Sequence, residues 1–385
     1  MNKKLIALAV AGAFAGYGAA ANAAEVSGFA VVNYVLVDDA AEKASSCTPS
    51  GASSCANSKE GKFSTEAEVD ISATPAEGVT VRVDTDLSLY TGDRGSALDA
   101  NDDGTVSAGE MADFKDTNSD TVTLEQAFFA WDLTHVTLIG GVFNNPIGQE
   151  AEDAADWNFA TSSMIRKSLD NQTELNGNNV AGVAVAGAAG PVTLTGALLN
   201  HLGGANDENS LALVANYSPI AGLDLELGMV TQESETNGDT TAADNVGDVM
   251  NFNAQYDIAP VAGLTVGLDY TTYDKIADTA YNIWGTYAIP GTKFSVGLRL
   301  EQFGWETPAN DVERTSFNVA YKAASNLKIY LDVSDASGAG CLASAPTPAA
   351  GTGCNLDFGG DDGLARVITG AQTDVLTKVK LVATF

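Results

Sequence analysis

From Val79 to Leu89 the side chains alternate. Val79, Val81, Val83, Thr85, Leu87 and Leu89 share one side, and Thr80, Arg82, Asp84, Asp86 and Ser88 share the other. The same rhythm places Phe294, Val296, Leu298 and Leu300 opposite Lys293, Ser295, Arg299 and Glu301. Near the end, Val375, Val379, Leu381, Ala383 and Phe385 alternate with Asp374, Lys378 and Lys380. A period of two predicts β-strands with one oily and one wet face. Short turns punctuate these segments at Pro75–Gly78, Thr134-His135, Ala188–Pro191, Pro219–Gly222, Pro260–Gly263, Pro290-Gly291 and Ala323–Asn326. Longer, mostly polar connections fall between them, near 39–62, 91–121, 144–178, 201–209, 233–247, 275–279, 304–311 and 336–369. Seven short turns alternating with eight longer loops join sixteen strands, and both chain ends fall on the short-turn side. Fourteen and eighteen strands are the alternatives. This predicts an all-β protein, a transmembrane antiparallel β-barrel with short periplasmic turns and long outer loops. Strands of about 9–11 residues suit a hydrocarbon layer crossed at a tilt. Closure removes the edges that so many strands would otherwise expose.

Composition changes this picture at one point. The 385 residues carry 50 Asp+Glu against 19 Lys+Arg, a formal charge of −31, yet 45% are hydrophobic. A mean hydropathy of +0.01 is that of neither a disordered acidic chain nor an ordinary soluble protein. Nucleic acid is excluded as a partner, because binding its phosphates needs clustered Lys and Arg.

The first residues read as an export signal. Met1-Asn2-Lys3-Lys4 is positive, Leu5 to Ala15 is apolar, and Ala21-Asn22-Ala23 offers an Ala-x-Ala cleavage site. Residues 1–23 are thus expected to be removed, leaving 24–385 as a single barrel domain; loss of Lys3 and Lys4 takes the charge from −31 to −33. The apolar run is too short to be retained as a spanning helix.

A resemblance supports the barrel. Leu381-Val382-Ala383-Thr384-Phe385 resembles the C-terminal signature of Gram-negative outer-membrane porins, with Phe385 as the assembly signal. Glu25-Val26-Ser27-Gly28-Phe29-Ala30 is similar to a porin first strand. Gly141-Val142-Phe143-Asn144-Asn145-Pro146-Ile147-Gly148 is similar to the strand end of OmpL-like porins. The resemblance implies a location in the outer membrane, contact with its lipid and lipopolysaccharide, and a homotrimer. The dense arginine ladder that general porins set against an acidic third loop is missing from this sequence.

If the apolar faces meet lipid, their opposites line the interior. The predicted lining includes Glu66, Glu68 and Asp70 on the second strand and Arg82, Asp84 and Asp86 on the third. Asp224, Glu226, Asp269, Lys293, Arg299, Glu301, Arg314, Lys328, Asp332, Lys378 and Lys380 follow on later strands. A charge facing hydrocarbon costs roughly 2–4 kcal/mol at the midplane for Arg or Lys, so a wall this charged implies water. Carboxylates dominate the first strands while Lys and Arg gather on the last, which predicts a transverse field and a preference for cations. The 144–178 connection carries Glu150, Glu152, Asp153, Asp156, Trp157, Arg166 and Lys167; its length suits either a loop folded into the pore or one pointing outward.

Three outer loops carry chemistry of their own. Residues 99–110 match D-x-[DN]-x-[DN]-G-x5-E and resemble an EF-hand calcium loop. Side-chain oxygens of Asp99, Asn101, Asp103, Ser107 and Glu110, with the Thr105 carbonyl, form the expected Ca²⁺ ligand set. An ordinary acidic loop is the competing reading. Cys47 and Cys55 fall within one loop, and Cys341 and Cys354 within another. An exported chain favours two local disulfides, Cys47 with Cys55 and Cys341 with Cys354. No catalytic motif stands out, and two histidines, His135 and His201, give a His-based site little support. The expected function is a non-enzymatic porin for passive diffusion of small hydrophilic solutes and ions. A structural, adhesive or partner-binding barrel with calcium-stabilised loops is the alternative.

Overall fold

The computed structural model of the chain describes residues 24–39, 59–89, 121–151, 153–170, 178–200, 202, 209–231, 247–274, 277–305, 311–338 and 374–385. The expected signal peptide and the 99–110 loop, with Asp99, Asn101, Asp103, Thr105, Ser107 and Glu110, lie outside the described residues. So do Cys47, Cys55, Cys341 and Cys354. The two expected disulfides, Cys47 with Cys55 and Cys341 with Cys354, are therefore not part of the described structure, and no disulfide occurs among the described residues.

Sixteen strands form the wall. The first five are β1 (Glu25–Asp39), β2 (Lys59–Ala76), β3 (Val79–Leu89), β4 (Thr121–Asp132) and β5 (Val136–Asn144). A short helix, α1 (Met164–Asp170), lies in the connection to β6 (Asn179–Ala189). Then come β7 (Val192–Asn200), β8 (Asn209–Ile220), β9 (Leu223–Val230), β10 (Val249–Asp257) and β11 (Leu264–Tyr273). The last are β12 (Ala277–Ala288), β13 (Phe294–Trp305), β14 (Val312–Ala324), β15 (Leu327–Gly338) and β16 (Asp374–Thr384). Each strand pairs antiparallel with its sequence neighbour, and β1 pairs with β16 from Phe29↔Thr384 to Asp39↔Asp374. The barrel is therefore closed, with no free edge. The predicted count of sixteen holds, as does the division into short turns and long loops. Strand length departs from expectation: β2 runs to 18 residues and β1 to 15, because their pairing continues past the apolar band.

Alternation decides which way each side chain points. On β8, Leu211 and Leu213 are 52% and 58% exposed, whereas Ser210, Ala212 and Val214 face inward and are buried. Val183, Leu194, Ile283, Leu298 and Phe317 likewise lie on the outer surface. Leucine and phenylalanine outside with asparagine and arginine inside inverts the pattern of a soluble protein, and suits a wall that meets hydrocarbon.

The short turns have a steric logic. Gly222 and Gly263 adopt φ of +82° and +87°, where a side chain is disfavoured. A Cβ at Gly263 would also collide with the Ala288 carbonyl, and one at Gly222 would crowd Asp257. The tight turn between β4 and β5 instead carries Thr134 at φ +77°, steadied by its backbone N–H donating to Asp132 Oδ1 at 3.0 Å.

Candidate functional site: an interior wall and its inward loop

Residues 145–151 and 153–170 of the connection fold into the barrel, the first of the two orientations that its length allowed. Sequence and wall cooperate in this. Ile147, Met164, Ile165 and Leu169 are all essentially buried, packed on inner-wall Phe143, Val180, Leu199, Val214, Val230, Val249 and Phe303. The interior is therefore apolar in part. Inward positions of β7 to β10 include Ala197, Leu199, Ala212, Val214, Val230 and Val249, which share one buried apolar cluster with Ile147 of the loop, while α1 itself packs toward β12 and β13. Burying this surface repels water from the loop's underside and holds it to the wall.

The wall also satisfies the loop's backbone. Gly148 N donates to Asn251 Oδ1 at 3.2 Å and Gln149 N to Asp269 Oδ2 at 3.3 Å. Trp284 Nε1 donates to Gln149 Oε1 at 2.8 Å, and Gln149 Nε2 reaches the Ala254 carbonyl at 2.9 Å. Further along, Arg299 donates to the Thr161 carbonyl (3.0 Å) and to Thr161 Oγ1 (2.7 Å), and Arg314 donates to the Ser162 carbonyl at 2.6 Å. Met164 N donates to Glu301 Oε1 at 2.8 Å, and Thr161 Oγ1 donates to Asp332 Oδ2 at 2.9 Å. Tyr330 Oη donates to the Trp157 carbonyl, and Lys380 Nζ to that of Ala154. The loop leaves between β5 and β6 yet is gripped by β10 through β16.

Arg299 and Arg314 share one carboxylate. Glu301 Oε2 lies 3.0 Å from Arg299 Nε and 2.6 Å from Arg314 Nη2, and Glu150 of the loop stands 3.6 Å from Arg299 Nη1. Arg299 also stacks on Phe159 at 4.6 Å, while Lys380 lies 4.0 Å and Arg166 5.0 Å from the Trp157 ring centre. Arg299, Arg314 and Lys380 are each 1% exposed. All three lie inside the barrel wall, packed beneath the loop.

The acidic wall is built differently. Glu68 and Asp70 on β2 pair in register with Asp86 and Asp84 on β3, so carboxylates face one another across the ladder. Like charges directly opposite are unfavourable, and Arg82 relieves part of this. Its guanidinium lies 2.6 Å from Asp84, 3.3 Å from Asp70 and 3.9 Å from Glu68. Ser27 Oγ donates to Asp70 at 2.9 Å. Glu66 and Asp86 are half-buried on the same face. Glu125 on β4 joins this group without having been singled out from the sequence; its inward parity next to the β3 carboxylates was the available signal. Carboxylate oxygens of Glu68, Asp70 and Asp84, and of Glu68, Asp86 and Glu125, lie within 4.8 Å of one another, so either set could accept a cation. On β9 to β11 the inner wall sets amides against two carboxylates, Glu226 and Asp269: Asn253 Nδ2 donates to Glu226 at 2.9 Å and Asn251 Nδ2 to Thr271 at 2.8 Å. Asn251 and Trp284, which fix the start of the loop, and Asn253, which bonds to Asn251, were not predicted as site residues.

No protein-family model matches the chain, and no curated protein matches it in sequence. Solved structures do match in shape. The chain is similar to the anion-selective porin of Comamonas acidovorans (11% identity, TM-score 0.58), covering 94% of this chain and 99% of that one. It is similar also to a mutant of the porin of Rh. blastica (14% identity, TM-score 0.51, 94% and 100% covered). A third structure, described as concerning the asymmetric conductivity of engineered proteins, gives 14% identity and a TM-score of 0.54, with 94% and 100% covered. The fold is thus that of the sixteen-stranded porins.

Proposed function

We propose that the chain forms a water-filled channel in the Gram-negative outer membrane for passive diffusion of small hydrophilic solutes and ions, with a lean toward cations. One observation carries the reading: a closed barrel, apolar outside, holds a row of inward carboxylates on β2 to β4 and an inward loop against the opposite wall. The cation lean rests on where the carboxylates gather. Glu66, Glu68, Asp70, Asp84, Asp86 and Glu125 stand together on one wall, with Arg82 beside Glu68, Asp70 and Asp84, whereas Arg299, Arg314 and Lys380 are engaged by the loop and Glu301. A carboxylate-lined passage raises the local cation concentration. The named neighbour is anion-selective; at 11% identity its lining need not be shared. Reversal potentials across planar bilayers in a KCl gradient test the lean, with cation preference expected and anion preference overturning it. Liposome swelling in small sugars tests the channel itself; absence of swelling by folded protein would favour a structural or partner-binding barrel.

The remaining elements of the proposal concern export and the outer loops. Residues 1–23 act as a cleaved signal, Phe385 serves in assembly, and the barrels associate as trimers in contact with lipopolysaccharide. Cys47 bonds to Cys55 and Cys341 to Cys354, each pair closing its own loop; the support is their spacing in an exported chain. The 99–110 loop binds Ca²⁺ through Asp99, Asn101, Asp103, Thr105, Ser107 and Glu110, with an affinity of roughly 0.1–1 mM, the range of extracellular modules. Calorimetry is expected to show a Ca²⁺ titration that Glu110→Gln abolishes; identical titrations would remove the site.

A further inference from the structure

At the short-turn mouth of the barrel the sign of the wall reverses. Lys322 on β14 is the direct cross-strand partner of Lys328 on β15. The carbonyl of Lys293, one residue before β13, accepts the Lys322 backbone N–H at 2.9 Å, so the three lysines stand side by side on adjacent strands. Strand parity puts all three on the inner face. Lys293 is in phase with Arg299, Lys322 with Arg314 and Ser316, and Lys328 with Tyr330 and Asp332, all buried inside. Directly opposed residues hold their Cβ atoms about 4.5–5.5 Å apart, and like charges at that spacing repel. None of the three pairs with a described carboxylate. Lys293 Nζ donates to the Ala323 carbonyl at 2.8 Å and lies 5.9 Å from the Tyr321 ring centre.

All three line one cavity of about 640 Å³, roofed by Asp156, Trp157 and Asn158 of the inward loop and floored by the short turns. Its size is that of a small-molecule site. Tyr330, whose hydroxyl donates to the Trp157 carbonyl, and Thr265, Thr286 and Ser295 add polar wall around it. Among the described lining residues Asp156 is the only carboxylate, and it sits on the loop rather than on the lysine strands. In a chain with 50 acidic and 19 basic residues, three ammonium groups in register without a described carboxylate are poorly explained by folding stability, since a single Glu among them would relieve the repulsion.

We infer that the Lys293–Lys322–Lys328 row is a binding subsite for a compact polyvalent oxyanion, a polycarboxylate or a phosphate, held at the short-turn mouth beneath the loop. Three flexible ammonium donors on neighbouring strands match several oxyanion oxygens at once. A chloride ion gains little from them, because its single charge cannot satisfy three ammonium groups. The subsite would capture anions at one mouth of a passage whose opposite wall favours cations.

The inference rests on the channel reading only for sidedness, so two measurements are paired. Calorimetry on the full chain in nanodiscs, with citrate and with pyrophosphate as separate probes, needs no conducting pore. At least a tenfold loss of affinity is expected on combining Lys293→Gln, Lys322→Gln and Lys328→Gln, and on Lys322→Gln alone a smaller loss in the same direction; the tighter probe tells carboxylate from phosphate. Equal affinity in wild type and variants, or no binding by wild type, overturns the subsite. In single-channel recordings, either anion is expected to reduce the current when added at one side of the membrane and to have little effect from the other. Block that is equal from both sides, in a wild type that conducts, overturns the placement while leaving the channel standing. A wild type that binds the probes but never conducts would sink the channel reading and spare the subsite.

Discussion

Glu301 ties the two arginines that grip the loop to the loop's own backbone. It accepts from Arg314, lies against Arg299 and caps the Met164 N–H, all out of contact with solvent. Removing one member of a buried ion group leaves the others charged and unpaired, typically at a cost of about 3–5 kcal/mol. Glu301→Ala is therefore expected to release the loop without unzipping the barrel, since the strand ladders are untouched. Limited trypsin digestion checks this: cleavage at Arg166 or Lys167 should appear in the variant and stay absent in wild type. A quieter case is Gly267, whose missing Cβ makes room for the Trp284 indole. Gly267→Ala would push that ring off Gln149, costing about 1–3 kcal/mol as overpacking. A red shift of tryptophan fluorescence and a loosened loop start are the expected outcomes. Legibility in the sequence differed between these residues. Arg299, Glu301 and Arg314 could be placed on the inner face from parity alone. That they would end beneath a loop could not, because the contacts join positions more than 130 residues apart and no local pattern encodes them.

At the scale of elements, strands and loop were legible to different degrees for a physical reason. A strand reports its two faces through a period of two, and β3, β13 and β16 do so plainly. The inward connection reports nothing periodic; among its described residues only α1 has regular structure, and its seven residues are too few to stand alone. What holds α1 is burial of Met164, Ile165 and Leu169 against the wall. Each Leu or Met reduced to Ala in such a place loses about 2–5 kcal/mol. The double change Met164→Ala with Leu169→Ala is therefore expected to free α1 and enlarge the passage. Single-channel conductance should rise and become noisier, while the circular dichroism of the β-wall stays unchanged. The apolar inner positions of β7 to β10 explain why parity alone overstates how wet the lumen is: alternation reports two faces but not which part of a face the loop will cover.

The whole molecule is closed by the pairing of its first and last strands. Phe385 N donates to the Gly28 carbonyl at 3.0 Å, and the space above Gly28 receives the Phe385 ring, so the final residue completes the seam as well as ending the chain. Gly28→Val would collide with the Glu68 backbone carbonyl on β2 as well as with that ring, and is expected to lower the temperature at which the barrel loses its compact, heat-modifiable mobility on electrophoresis. Phe385→Ala should lower the amount of barrel assembled in the membrane more than the stability of what does assemble. The architecture was legible because closure, sixteen strands and the placing of long loops at one rim all follow from where alternation stops and turns begin.

The loop's hold on the wall has a further consequence. Many of the bonds that seat it are made to its own backbone, at Gly148, Gln149, Ala154, Trp157, Thr161, Ser162 and Met164, by side chains that belong to the strands. A peptide group is the same whatever residue bears it. The strands therefore act as a mould: substitutions along much of the loop can retune the chemistry of the aperture while its position is inherited from β10 to β16. Conversely, one change among those strand residues can move the aperture with every loop residue left as it was.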